Sequence, residues 1–382
     1  MPGQDKLALY IHWPYCARIC PYCDFNVYRA RRDDGEALIR AMCADLRHWR
    51  DLSGPRRLIS IHFGGGTPSL LQARHLAALI DLAVALWTPT ADLEIGLEAN
   101  PNDVNAETLT AWRDVGIERL SLGVQSFGNH ALQALGRDHG GAQARAALEL
   151  AGTQMPRVSL DLIYGWAGQT QEDLDADLHT ALASGVGHIS TYQLTIEEKT
   201  AFGRALKRGR NMAVRTETSA DLFEHLIARL GAEGYSQYEV SNFARAQAER
   251  SRHNLAYWQG VDYAGIGPGA HGRLWQSGTR FASVAALKPS DYIQAVNETG
   301  SGRAEWAPLA REDIADEYVL MGLRIRDGLS LSHYQTLAGH ALAEDRIEAL
   351  VAQGLLVKDG DRLAASPKGR LVLDALTRHL LA

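Results

Sequence analysis

Tyr10-Ile11-His12-Trp13-Pro14-Tyr15-Cys16-Ala17-Arg18-Ile19-Cys20-Pro21-Tyr22-Cys23-Asp24-Phe25 begins inside an apolar run, Leu7–Trp13, that reads as a first strand. It continues into a segment holding three of the chain's four cysteines within eight residues. A disulfide framework needs secretion and more evenly spread cysteines, so a cluster of this kind points to metal or redox chemistry. Iron–sulfur cubanes are held by thiolates, four in the closed case. Cys16, Cys20 and Cys23 supply three, which would leave one iron open, and an open metal position separates a reactive site from a structural one. Zinc held by these thiols with His12 is an alternative on the same residues, as is plain packing of unligated thiols. Cys43 lies in a helical pattern and reads as a packed small residue.

Outward from this segment, strand-like and helix-like stretches alternate. Leu7–Trp13, Leu58–Phe63, Leu93–Ala99, Arg119–Gln125, Val158–Tyr164 and His188–Leu194 are short, nearly continuous in apolar character, and suit parallel strands covered on their faces. Helical patterns at Glu36–Leu52, Ala73–Leu86, Ala106–Val115, Ala142–Ala151 and Glu172–Ser184 separate them. The pattern predicts an α/β fold, a partial (β/α)6 TIM-like barrel, with a flat doubly wound sheet as the alternative. In a barrel the cysteine segment is a loop on the functional face. After Thr195 the alternation weakens, and Asp262–Gly272 is glycine-rich. From about Arg303, three short helices and a hairpin around Lys358-Asp359-Gly360-Asp361 predict a winged-helix-like tail. The expected division is 1–302 for the barrel and 303–382 for the tail.

The second run ends in Gly64-Gly65-Gly66-Thr67-Pro68, where glycines permit close backbone approach to a ligand or simply a tight turn. Glu98, Gln125, Asp161 and Gln193 lie at the ends of later runs, the rim where a barrel carries its reactive groups. Singly each could be a cap or turn former. Glu98 suits ribose hydroxyls, and Arg137 in LGRDH could pair with a carboxylate. His253-Asn254-Leu255-Ala256-Tyr257-Trp258 joins an imidazole to two flat aromatic side chains. That fits a porphyrin ligand or, more blandly, an aromatic patch of core wall.

With 382 residues and a formal charge of −6, the chain has no global attraction for phosphate backbones. The tail's Arg324, Arg326, Lys358, Arg362, Lys368 and Arg370 are interleaved with acids, so no basic face for nucleic acid is expected. No apolar run reaches the roughly 18 residues of a membrane span, and MPGQDKLALYIHW lacks a secretory pattern. The expectation is a cytoplasmic protein whose membrane contact, if any, runs through a partner.

YIHWPYCARICPYCDF, HFGGGTPSLL, LEANP, GVQSF, LGRDH and DLIYG together resemble the oxygen-independent coproporphyrinogen oxidase family of radical SAM (S-adenosylmethionine) proteins, nearly end to end. The resemblance implies a radical SAM barrel, a [4Fe–4S] cluster on Cys16, Cys20 and Cys23, and S-adenosylmethionine on the open iron. It implies first-site S-adenosylmethionine contacts at Tyr10, Gly65, Glu98, Gln193 and His271. A second position would use Tyr22, Gly66, Thr67, Gln125, Arg137 and Asp161. The oxidase branch carries a fourth cysteine two positions after the third, and a longer chain before the cluster. Here that position is Phe25, and little chain precedes Cys16, as in the branch similar to heme chaperones. HNLAYW matches that branch's HNxxYW motif, which implies heme bound by His253, Asn254, Tyr257 and Trp258. The implied partners are heme and heme-accepting respiratory proteins, with a homodimer linked through cluster or heme as a further expectation. The alternative is an enzyme that oxidatively decarboxylates coproporphyrinogen III.

Overall fold

The computed structural model describes residues 5–30 and 35–382. Residues 1–4, which the reading of the chain's start also used, lie outside the described residues. Six strands follow one another in sheet order: β1 (Lys6–Trp13), β2 (Arg57–Gly65), β3 (Thr88–Ala99), β4 (Arg119–Gln125), β5 (Arg157–Tyr164) and β6 (His188–Gln193). All five pairings between them are parallel. The first five connections carry helices Gly35–Ser53, Ala73–Leu86, Ala106–Asp114, Gly141–Gln154 and Gln171–Ala183, as the periodicity predicts.

The sheet continues past both ends of this series. β7 (Asp262–Ile266) pairs parallel with β1 on its free side, Leu7 opposite Asp262 and Ile11 opposite Ile266. Beyond it β8 (His271–Gln276), β9 (Thr279–Ala285) and β10 (Arg303–Pro308) add antiparallel strands. At the other edge Asn242–Ala244 pairs antiparallel with β6, and Ser236–Gln237 with that segment. The sheet is therefore open, with seven parallel strands at its centre. The glycine-rich character of Asp262–Gly272 concealed the seventh. Gly265 is required there because a Cβ would sit 2.1 Å from the carbonyl oxygen of His271.

The strands are not uniformly apolar, contrary to the expectation of faces covered alike. Successive side chains of a strand point to opposite faces. Leu7, Leu9, Ile11, Ile61, Phe63, Ile95, Leu97, Leu120, Leu122, Val158, Leu160 and Ile189 join the helices in one apolar core. The alternate positions Tyr10, His12, Ser60, His62, Glu94, Glu98, Arg119, Ser121, Ser159, Asp161, His188 and Ser190 give the other face a polar lining. A second apolar cluster, including Val319, Leu323, Leu329 and Leu363, belongs to the tail, where helices accompany a three-stranded sheet.

Candidate functional site

The cysteine segment leaves the C-terminal end of β1 and folds over the polar face. Its path is fixed by backbone hydrogen bonds from Tyr28 to Pro14 (2.7 Å), from Ala30 to Cys16 (2.9 Å) and from Phe202 to Pro21 (2.9 Å). Asn26 ties it down further, its Nδ2 donating to the carbonyls of Pro268 (3.0 Å) and Leu287 (2.8 Å).

Cys16, Cys20 and Cys23 line one cavity of about 370 Å³. Burial pushes the Cys23 thiol up to about 11, with Cys16 and Cys20 adding like charge, and burial likewise raises Cys16. Bare thiolates are thus disfavoured here, and a bound metal would have to supply the compensating charge. Arg137 faces the group, Nη1 3.3 Å from Cys20 Sγ, while its Nη2 donates to Asn100 Oδ1 and the Gly123 carbonyl, both at 3.0 Å.

Three thiols and one cation, opening on a cavity, fit a cluster whose fourth iron faces a ligand. The zinc reading fits less well. His12 uses Nε2 on the Asn26 carbonyl (3.0 Å) and Nδ1 on Tyr10 Oη (3.2 Å). Among the described residues no three such side chains converge to hold a single ion.

The glycine loop forms the next wall. Gly65 has φ +106°, and a Cβ there would lie 2.5 Å from His12 Cε1. Its amide donates to Glu98 Oε2 (3.3 Å), and His62 Nε2 lies 3.1 Å from Glu98 Oε1. Gln125 ends β4 with φ +69°, a strained position for a side-chain residue, where the pairing with β5 shifts register. Ser121 Oγ donates to Asp161 Oδ2 at 2.8 Å. Burial still pushes the Asp161 carboxyl up to about 6.

Tyr22, Gly65, Gly66, Thr67, Glu98, Gln125, Arg137, Asp161 and Gln193 all line this cavity. Tyr10 and His271 do not. They line a second cavity of about 450 Å³ together with His12, Tyr257, Tyr263 and Leu287. Asp24 and Phe25 border both cavities, and Phe25 is 61% exposed.

The HNLAYW residues are distributed differently from the expectation. They form the short helix Arg252–Trp258. Glu94, fully buried, accepts from the amides of Arg252 (3.1 Å) and His253 (3.0 Å), which favours the positive end of the helix. Burial raises the Glu94 pKa, but Arg119, Arg157 and these amides hold it below the usual range. His253 is 2% exposed. Its Nδ1 lies 2.9 Å from Ser60 Oγ and its Nε2 3.1 Å from Tyr257 Oη, while its ring stacks on His62 at 4.7 Å. Both ring nitrogens are engaged inside the protein. Tyr257 alone of the four reaches the second cavity. Trp258 faces the tail, with the Arg324 guanidinium 4.8 Å above its ring.

Asn26, Asn100, Ser121 and Tyr192 are site residues that sequence reasoning missed. Asn100 was within reach, since it stands two positions after Glu98 in the same LEANP segment. Asn26 carries no signal of its own, because its partners lie more than 240 residues away.

The open parallel sheet, the thiol cluster over its C-terminal rim and the glycine loop beside it define a radical SAM protein. Residues 10–181 match the radical SAM superfamily, and 309–372 match the HemN C-terminal domain. The heme chaperone HemW of Mycobacterium tuberculosis is 37% identical over 386 residues, covering all of this chain and 96% of that protein. The Bacillus subtilis heme chaperone HemW is 34% identical over 370 residues, with 96% of each chain covered. A Bos taurus mitochondrial radical S-adenosyl methionine domain-containing protein 1 is 38% identical, covering all of this chain and 88% of that one. Among solved structures, coproporphyrinogen III oxidase (HemN) from Escherichia coli superimposes with a TM-score of 0.82 at 24% identity, over 98% of this chain and 90% of its own. The chain belongs to the HemW family of radical SAM proteins.

Proposed function

We propose that this protein is a heme carrier: it holds a [4Fe–4S] cluster, S-adenosylmethionine and heme, and passes heme to an acceptor such as a respiratory protein. Cys16, Cys20 and Cys23 would hold the cluster, whose open iron supplies a coordination position for the amino and carboxylate groups of S-adenosylmethionine. Gly65 and Glu98 would orient that ligand, and Gly66, Thr67, Gln125, Asp161 and Gln193 would enclose it. Arg137 and Tyr22 would close the cavity beside Cys20. Heme would enter the second cavity, which Tyr257 of the HNLAYW segment and Phe25 both line.

One observation carries this reading. At Phe25 an exposed aromatic side chain borders both cavities. A flat apolar ligand would find there a wall beside the cluster, where the oxidase branch places a fourth cysteine. The name heme chaperone, borne by relatives matched over nearly their whole length, supports the same reading. We further propose a cytoplasmic location; no helix among the described residues is long and apolar enough to cross a membrane. A separate tail domain would begin after β10, near residue 309, and not at 303, because β10 (Arg303–Pro308) belongs to the main sheet.

Anaerobic reconstitution with iron and sulfide, followed by hemin titration, tests the proposal. Full-length protein should take up about four irons and bind hemin. The variant Cys16→Ser/Cys20→Ser/Cys23→Ser should lose the iron and keep its fold by circular dichroism. Absence of hemin binding would remove the carrier role. Robust protoporphyrinogen formation from coproporphyrinogen III, with reductant and S-adenosylmethionine, would instead establish the enzyme.

A further inference from the structure

We infer that Asp177 and His139 are positioning residues: from outside the thiol-lined cavity they hold the end of β4 so that the Gln125 side chain is presented to S-adenosylmethionine. The inference rests on the S-adenosylmethionine part of the reading above and assigns the two side chains that act behind Gln125.

Gln125 has φ +69°, a conformation that a residue with a Cβ keeps only when its surroundings over-determine it. Three side chains do so here. Arg137 Nη2 donates to the Gly123 carbonyl and His139 Nε2 to the Val124 carbonyl, each at 3.0 Å. Asp177 accepts from the Ser126 hydroxyl and from the Phe127 amide, each at 2.7 Å. The chain is thus held on both sides of residue 125. Ser126 Oγ also accepts from the Gly128 amide at 3.0 Å, which fixes the exit of the turn.

Both side chains are buried, and neither is among the residues lining the cavity. Asp177 belongs to the helix Gln171–Ala183, whose other buried residues are Leu174, Leu178 and Ala181. A carboxyl on such an apolar face costs free energy unless it is hydrogen-bonded, and its two partners both belong to the turn after Gln125. Burial and the Arg137 guanidinium push His139 down to about 4, so the ring is neutral, with its one proton on Nε2 for the Val124 carbonyl. Arg137 reaches Cys20 Sγ as well as Gly123, so the strand end is tied to the thiols.

On the cavity side the Gln125 amide is free. It makes no hydrogen bond among the described residues and lines the cavity with Asp161 and Arg137. Gly123 leaves room for it, since a Cβ there would lie 3.0 Å from Gln125 Nε2. A primary amide both donates and accepts, which suits a ligand carrying amino, carboxylate and hydroxyl groups.

The test is calorimetric titration of S-adenosylmethionine into anaerobically reconstituted full-length protein with its cluster oxidised, with iron content and urea unfolding measured alongside. Asp177→Ala and His139→Ala should each weaken binding by about tenfold while iron content stays near wild type. Gln125→Ala should weaken it as much. Adding Asp177→Ala to Gln125→Ala should cause no further loss, because a positioning residue has nothing left to position. Should Asp177→Ala fail to fold, Ser126→Ala removes one of its two donors and is read in the same way. If wild type does not bind S-adenosylmethionine, that part of the reading itself fails. If wild type binds and both single variants bind equally well, only the positioning roles fail. An additive loss in the double variant would show that Asp177 acts through general stability, and likewise overturns its role.

Discussion

Arg137 lies between ligand chemistry and structure. Its guanidinium touches Cys20 Sγ at 3.3 Å and is anchored by Asn100 and the Gly123 carbonyl. Hydrogen bonds to cluster sulfurs raise reduction potential because they favour the electron-rich form. Arg137→Met should leave iron content near wild type and move the cluster midpoint to more negative potential, read by a potentiometric titration. An unchanged midpoint would show that the contact does not persist on loading. Gly65 is less forgiving. Its φ of +106° and the 2.5 Å approach of His12 leave no room for a Cβ. Gly65→Ala should therefore cost about 1–3 kcal/mol of stability and reduce iron uptake, measured by urea unfolding and iron analysis. The thiols were legible in the sequence because their spacing is local, and the rim residues because each stands at the end of an apolar run. The placement of Tyr10 and His271 at a second cavity was not, because it depends on the long-range pairing of β1 with β7, which brings β8 and His271 beside Tyr10.

At the scale of elements, the six successive strands were legible as apolar runs, but their two-faced character was not. The polar members of each run are outnumbered by aliphatic ones, and β7 to β10 break the βα rhythm altogether. The helix Arg252–Trp258 shows the same limit. HNLAYW states which residue types are present, but seven residues do not reveal which face turns inward. Here it is the face carrying His253 and Tyr257, four apart and hence one above the other. His253→Ala would leave a buried Ser60 hydroxyl without its partner and open a small cavity, so a loss of about 2–3 kcal/mol is expected in urea unfolding. Asn26 joins two elements that neither would hold alone. Asn26→Ala removes its bonds to Pro268 and Leu287 and loosens one wall of the second cavity. Hemin affinity should fall while iron uptake stays near wild type, measured by parallel titrations; equal loss of both would show that the cysteine segment itself had come loose.

Over the whole molecule, barrel and tail meet through polar contacts that tie the tail to the segments around the HNLAYW helix. The Arg326 amide donates to the Tyr238 carbonyl (2.9 Å), Arg273 Nε lies 3.0 Å from Glu317 Oε2, and Glu239 forms a backbone bridge with Ile325. Glu239 is 2% exposed at this junction. Burial pushes its carboxyl up to about 7, although the Ser241 amide and the Arg324 guanidinium favour the charged form. An acid whose pKa is raised on folding is stabilising in its protonated form. Its contribution is fully present below the unfolded value, near 4.5, and is lost as pH rises through about 7. Between pH 4.5 and 8 the loss amounts to on the order of 3 kcal/mol. Glu239→Gln keeps an acceptor for the Ser241 amide and carries no charge at any pH. The variant should match wild type near pH 4.5 and exceed it at pH 8, with wild type alone losing this increment, read from urea unfolding at both values. Parallel pH profiles for the two proteins would mean that Glu239 keeps its ordinary pKa. Because Arg324 both faces Glu239 and stacks on Trp258, ionisation of this one carboxyl bears on the helix that supports the proposed heme cavity. Hemin affinity in wild type should therefore change across pH 6–8 more than in Glu239→Gln.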